Sequence, residues 1–193
     1  MLGIMSGAAK EFYQVAIWTG LSTHEQIGLW WEDIDLEQGK IHIRRGVTYG
    51  EIIDTKNNTR WRDMDLLPPV RDALLRMKAV SYDPAQPVFV NPRTGEYWRY
   101  EAISRPWRKA LTALNIMYRR PYTTRHTFAS LMLSAGAPIG WLKHQMGHAS
   151  LDMLDSVYAR WIADDGKQSV VDWVKERCGI RGQLTWPPKP DQL

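Results

Sequence analysis

Apolar residues along this chain keep two rhythms, and the switches between them divide it into three stretches. The first is helical. Its pattern predicts one helix over residues 8–19, ended by Gly20 as a C-cap, and a second starting near Ser22. Ser22-Thr23-His24-Glu25 has the form of a capping box, in which Ser and Glu satisfy each other's open backbone N–H groups, and Ile27 and Leu29 follow it. The second stretch alternates. Residues 40–47 put Ile41 and Ile43 on one face, 51–54 follow a turn at Tyr49-Gly50, and 61–66 follow the polar turn Asn57-Asn58-Thr59. These predict a small three-stranded antiparallel meander.

The third stretch returns to the helical period. Val70, Leu74 and Met77 share a face behind Pro69, which suits a first turn. Ile103, Trp107, Ala110, Leu111 and Leu114 form a second stripe, and Phe128, Leu131, Met132 and Ala135 a third, ended by Gly136. Pro138 opens a short helix that stops at Gly147. Ser150 caps the next, which carries Tyr158, and a last helix spans 167–177. Trp186-Pro187-Pro188-Lys189-Pro190 cannot continue a helix and reads as extended chain. The expectation is a mainly α fold with a small three-stranded antiparallel sheet, in one domain over 1–178, followed by an extended Pro-rich tail over 179–193.

Composition narrows the class without naming a function. The chain has 193 residues, enough for one domain with its own core. Its 44% hydrophobic and 24% charged residues are those of an ordinary globular protein. No apolar run is long enough to span a bilayer, and the N-terminus lacks the basic and apolar blocks of a signal peptide. A single cysteine, Cys178, rules out an internal disulfide framework and fits a reducing compartment. A net charge of +4 permits a polyanionic partner without requiring one.

The chemistry gathers in residues 122–158. Tyr122-Thr-Thr-Arg125-His126-Thr is followed by Gln145-Met-Gly-His148 and by Val157-Tyr158-Ala-Arg-Trp161. An arginine, histidines and a tyrosine can bind a phosphate, move protons and attack phosphorus. Each motif alone has a plainer reading. Arg125 and His126 suit a charged surface pair, and Tyr158 a half-buried helical tyrosine. His144 and His148 are spaced like a helical zinc pair, but Gln145 stands where a zinc protease needs Glu and Gly147 breaks the helix between them.

Order and spacing change that reading. Trp18-Thr-Gly-Leu-Ser22-Thr-His-Glu25, then Trp31-Glu-Asp-Ile-Asp35, resembles the box that opens the catalytic domain of the tyrosine site-specific recombinases, the phage integrases. Asp54-Thr-Lys56 with Arg60-Trp-Arg62 resembles the hairpin carrying that family's lysine, and the motifs of 122–158 resemble its closing box. The resemblance runs over about residues 8–163.

It implies DNA strand cleavage and rejoining in site-specific recombination, as in phage and prophage integration and excision, without metal or nucleotide cofactor. Tyr158 would be the nucleophile, forming a 3′-phosphotyrosine that conserves the bond energy. Arg125 would hold phosphate oxygens with its planar fork. His148 would donate a hydrogen bond or assist proton movement, and Lys56 would protonate the leaving 5′-oxygen. Glu25 would orient its neighbours, and His126 would have a structural role. Duplex DNA at attachment sites is the implied partner, met by Arg44, Arg45, Lys56, Arg60, Arg119, Arg120 and Arg125. A tetramer on DNA and accessory DNA-bending proteins are implied too, in a bacterial cytoplasm at the nucleoid and with no membrane role. Trp173, Val174 and the tail are candidates for contact with a neighbouring protomer. The arm-binding and core-binding domains that usually precede this domain are expected to be absent.

Two positions depart from the pattern. Tyr122 stands where many members have His, and its hydroxyl can still donate a hydrogen bond. Ser22 stands where the family has its first arginine, and a short neutral side chain cannot neutralise a phosphate. The rival expectations are a catalytically silent DNA-binding relic and a topoisomerase-like activity of the IB type.

Overall fold

Gly7–Thr19 forms the first helix, α1, which buries Phe12, Tyr13, Val15 and Ala16. It stops at Gly20, whose φ of 65° lies in the left-handed region that glycine adopts without strain. The computed structural model describes residues 1–53, 61–91 and 94–147. Five further α-helices follow in them: α2 (Thr23–Ile27), α3 (Pro68–Ser81), α4 (Tyr100–Ala113), α5 (Thr123–Ser134) and α6 (Ile139–Met146). They fall where the helical stripes predict them. The predicted helix bearing Tyr158, the helix over 167–177 and the tail lie outside the described residues. Among the described residues, no helix is long and apolar enough to cross a membrane.

The small antiparallel sheet is present, but its strands are not those of a meander. β1 (Ile34–Asp35), β2 (Lys40–Ile43) and β5 (Arg62–Asp65) make the three-stranded sheet, in the order β1-β2-β5. Among the described residues, β3 (Gly46–Thr48) and β4 (Glu51–Ile53) pair only with each other. The predicted 40–47 strand is therefore two strands. A continuous strand would aim Arg45 at the buried face shared by Ile41, Ile43 and Val47. Instead the chain breaks at 44–45, and Arg45 swings to Asp33 and Glu32, at 2.9 and 2.8 Å. β3 and β4 are joined at Tyr49 and Gly50, whose φ of 54° and 86° suit a tight hairpin turn. β5 then returns to β2, setting Ile41 opposite Met64 and Ile43 opposite Arg62.

The core has α1 at its centre. Phe12, Tyr13, Ile41, Met64, Val70, Leu74, Phe89, Ile103, Phe128, Leu142 and Met146 are all buried in one cluster. Each large apolar side chain so buried contributes about 1.5–3 kcal/mol relative to exposure. α1 packs on both α3 and α5, and α6 packs on β5. Two polar ties hold α1 in place: Tyr13 Oη donates to Ile103 O at 2.7 Å, and Arg76 of α3 grips Glu11 through Nε and Nη2 at 3.1 and 2.8 Å. A Cβ at Gly20 would overlap the Phe128 ring, so the end of α1 can sit this close to α5 only with glycine there.

Candidate active site

The packing of α1 on α5 and α6 on β5 brings four chain segments to one place. On the first, Ser22 precedes α2 in extended conformation and caps it. Its Oγ accepts from the Glu25 N–H at 3.3 Å and donates to Glu25 Oε2 at 2.8 Å, while the Ser22 N–H donates to the same carboxylate oxygen at 2.9 Å. The predicted capping box is thus formed on both sides. It also fixes the direction in which the Glu25 carboxylate points.

The other carboxylate oxygen, Oε1, accepts from Arg62 Nη1 at 2.7 Å. These side chains are only 4% and 15% exposed for Arg62 and Glu25, so the pair is shielded from solvent. Arg62 comes from β5, the second segment. It reaches the third through Nε, which donates to Gln145 O at 3.0 Å. Gln145 Oε1 in turn accepts from the Asp65 N–H at 3.1 Å, which ties the end of α6 to β5 twice. Gly147 caps α6 with φ 62°, and a Cβ there would lie 2.5 Å from Arg62 Nη1. Glycine is favoured by its positive φ, and any larger residue would have to displace the Arg62 guanidinium.

Arg125, on the first turn of α5, is the fourth. It is buried. Nη1 donates to Gly20 O and Nη2 to Met146 O, both at 2.5 Å, and Nη1 lies 4.0 Å from Glu25 Oε2. One guanidinium therefore bridges the segment holding Ser22 and Glu25 to the one ending in Gly147.

Charge follows this geometry. Burial alone would push the Glu25 carboxyl up, but the Arg62 guanidinium and its hydrogen bond, with Arg125 behind them, hold it below the usual carboxylate range. Burial draws Arg125 below the usual arginine range, opposed by Glu25. An arginine starts so high that it stays charged near neutral pH. Among the described residues two cations, Arg62 and Arg125, face the one Glu25 carboxylate, a balance suited to a phosphate.

Beside it lies a cavity of about 270 Å³, lined by Ser22, His24, Glu25, Arg44, Trp61 and Tyr122 among others. Tyr122 stands at the start of α5, half exposed, with its ring edge-on to His126. Ile53 and Trp61 also line this cavity, and they flank residues 54–60, which include Lys56 and Arg60.

Of the residues expected at the site, Ser22, Glu25, Tyr122 and Arg125 are together. Lys56, Arg60, His148 and Tyr158 lie outside the described residues. Arg44 is bound to Asp63 at 2.7 Å, and Arg45 lies over the Trp30 ring as well as on its two acids. Arg119 and Arg120 are exposed on the connection before α5. His144 Nε2 sits 2.9 Å from the Asp63 carbonyl oxygen.

The sequence places Arg62 in the motif resembling the lysine-bearing hairpin and does not reveal its partner Glu25. The available signal was alternation. In 61–66, Arg62 falls on the same face as Met64 and Leu66, and an arginine at an inward strand position needs a buried carboxylate.

This arrangement of six helices and a small antiparallel sheet is the fold of tyrosine recombinase catalytic domains. The integrase of the Tn1549 transposon, solved with circular intermediate DNA, superposes with a TM-score of 0.67 at 21% identity, over 77% of this chain and 54% of that one. The chain belongs to the phage integrase family, whose model matches residues 6–163. It is 28% identical over 188 residues to the prophage integrase IntR of Escherichia coli K12, covering 85% of this chain and 46% of that protein. It is 31% identical over 143 residues to the tyrosine recombinase XerC of Thermodesulfovibrio yellowstonii, covering 74% and 46%. The chain thus spans about half the length of the curated relatives it matches.

Proposed function

We propose that this chain carries the strand-cleaving centre of a site-specific recombinase acting on duplex DNA. The observation that supports it best is the Arg125 bridge. This arginine joins Gly20 O, two residues before Ser22, to Met146 O, two residues before His148. Boxes that are far apart in sequence and resemble a recombinase's catalytic motifs so converge on one positively charged cluster.

In this reading the Tyr158 hydroxyl attacks a DNA phosphodiester. A bond from its oxygen to phosphorus forms as its proton passes to His148, the bond to the 5′-oxygen breaks, and Lys56 gives that oxygen its proton. Arg125 and His148 stabilise the charge that grows on the non-bridging oxygens. Tyr122 faces the same cavity and offers its hydroxyl to the phosphate. The catalytic domain covers 1–178, and assembly with further protomers on an attachment site completes recombination.

Activity is slow because position 22 offers no cation. The Ser22 side chain is committed to capping α2 and to Glu25, which favours a second reading, a silent DNA-binding descendant of an integrase. A nicked half-site assay separates the two. The Ser22→Arg variant is expected to form an SDS-resistant protein–DNA adduct, mapped by peptide sequencing to Tyr158. No adduct, or a phosphotyrosine at Tyr118 or Tyr122, overturns the proposal.

A further inference from the structure

The Glu25 carboxylate raises a question about this site. Position 22, whose side chain touches this carboxylate, holds a neutral serine and not a cation. A buried carboxylate left to itself would repel a phosphate entering the cavity beside it and would be costly to keep charged. It is not left to itself. Arg62 holds Oε1 at 2.7 Å, whereas Arg125 stands off at 4.0 Å from Oε2.

We infer that Arg62 is a positioning residue of this site, supplying the Glu25 carboxylate with the cation that position 22 lacks and tying it to the backbone of Gln145. The inference rests on the recombinase reading above for its catalytic consequence, though not for its electrostatics. Three features carry it. Arg62 occupies an inward strand position between Ile43, its cross-strand partner, and Met64, where the pattern calls for an apolar residue. Gly147 makes room for its guanidinium, since any Cβ there would strike Nη1. Position 22 faces the same carboxylate, because Ser22 Oγ is 2.8 Å from Oε2, and it borders the cavity, so an arginine there has both a partner and space. With Glu25 neutralised by Arg62 at 2.7 Å, the carboxylate draws less on Arg125, which stands 4.0 Å from it.

A purely structural ion pair would give the same contacts, so the test must ask whether the cation is exchangeable. In the full 193-residue chain, carboxyl ¹³C NMR follows the titration of Glu25 in the parent, in Arg62→Gln and in Ser22→Arg/Arg62→Gln. The parent is expected to titrate below the usual carboxylate range and Arg62→Gln above it, with the double variant returning below. On a nicked half-site, adduct formation by the double variant should exceed that of Arg62→Gln by about a hundredfold. The inference is overturned if Glu25 stays low in Arg62→Gln, or if arginine at position 22 fails to bring it down again. Should Arg62→Gln not fold, folding of the double variant supports the exchange, and failure of both overturns it. Expected titrations with no adduct in any variant, Ser22→Arg included, sink the recombinase reading instead.

Discussion

Two buried regions of this molecule are held by opposite means. Around α1, Phe12 and Tyr13 meet Phe89, Trp98 and Trp107 with ring centroids between 4.7 and 5.5 Å apart. Past the C-terminal end of the same helix, Arg62 and Arg125 are buried and Glu25 is 15% exposed, and all three are placed by hydrogen bonds of fixed direction. In the first region many weak contacts share the load, and a side chain of similar volume serves nearly as well. In the second, each group is held by a few partners, and removing one leaves a buried charge uncompensated. The core makes the fold tolerant. The cluster makes the site exacting.

The sharpest way to separate the regions is by pH. Phe12→Ala should lose about 3–5 kcal/mol of stability through the cavity it opens. Glu25→Ala should lose a similar amount near neutral pH, about 3–5 kcal/mol, because the Arg62 guanidinium is left buried beside an empty place. Their acid behaviour should differ. Glu25 has its folded pKa held below the usual carboxylate value of about 4.3. Its ionised form therefore stabilises the fold fully above that value, and the benefit fades as pH falls through the folded pKa. In urea unfolding at pH 7 and pH 3, the deficit of Phe12→Ala should hold steady while that of Glu25→Ala shrinks. Equal deficits at both pH values would mean that Glu25 acts by packing rather than charge.

The same contrast explains what the sequence made legible. The stripe Ile103, Trp107, Ala110 and Leu111 is buried as its spacing predicts, since periodicity reports a face and a core needs little more. Leu114, the stripe's last member, caps the helix and is 39% exposed. The capping box was readable because Ser22 and Glu25 are three residues apart. The rest of the cluster was not, as Glu25 meets Arg62 across 37 positions and Arg125 meets Gly20 across 105. Long-range polar pairs leave no periodic trace in one sequence. The sheet was misread for a related reason: alternation assigns faces, not partners, so the pairing of β5 with β2 rather than β4 was invisible.

A smaller effect is expected from Ser22→Arg, and it sharpens the difference between holding a charge and using it. Arg62 neutralises Glu25 but lies on the far side of that carboxylate from Ser22, so it does not replace a phosphate clamp. Adding a preorganised cation at position 22 should raise adduct formation at least about a hundredfold, equivalent to about 2.7 kcal/mol of barrier. Stability should fall by no more than about 1 kcal/mol, the usual worth of a Ser N-cap. Single-turnover cleavage and thermal melting measure the two separately. Equal rates for the parent and the Ser22→Arg variant would show that another cation already meets the phosphate.

The smallest effects belong to the surface arginines, where charge is held loosely. Arg44 is paired with Asp63, whose side chain is 52% exposed, so Arg44→Ala should change stability by less than about 1 kcal/mol. Its role in DNA binding should be muted as well, because meeting a phosphate means giving up the carboxylate. Arg120 is exposed, and among the described residues no carboxylate lies within ion-pair distance of it. Its loss should lower the slope of log K against log salt by about 1, as expected for one phosphate contact, and weaken binding alike across sequences. Duplex binding measured over a salt series compares the two variants directly. If Arg44→Ala lowers the slope as much as Arg120→Ala, the Asp63 pair opens on DNA at little cost, and even the partnered arginines of this face count as phosphate contacts.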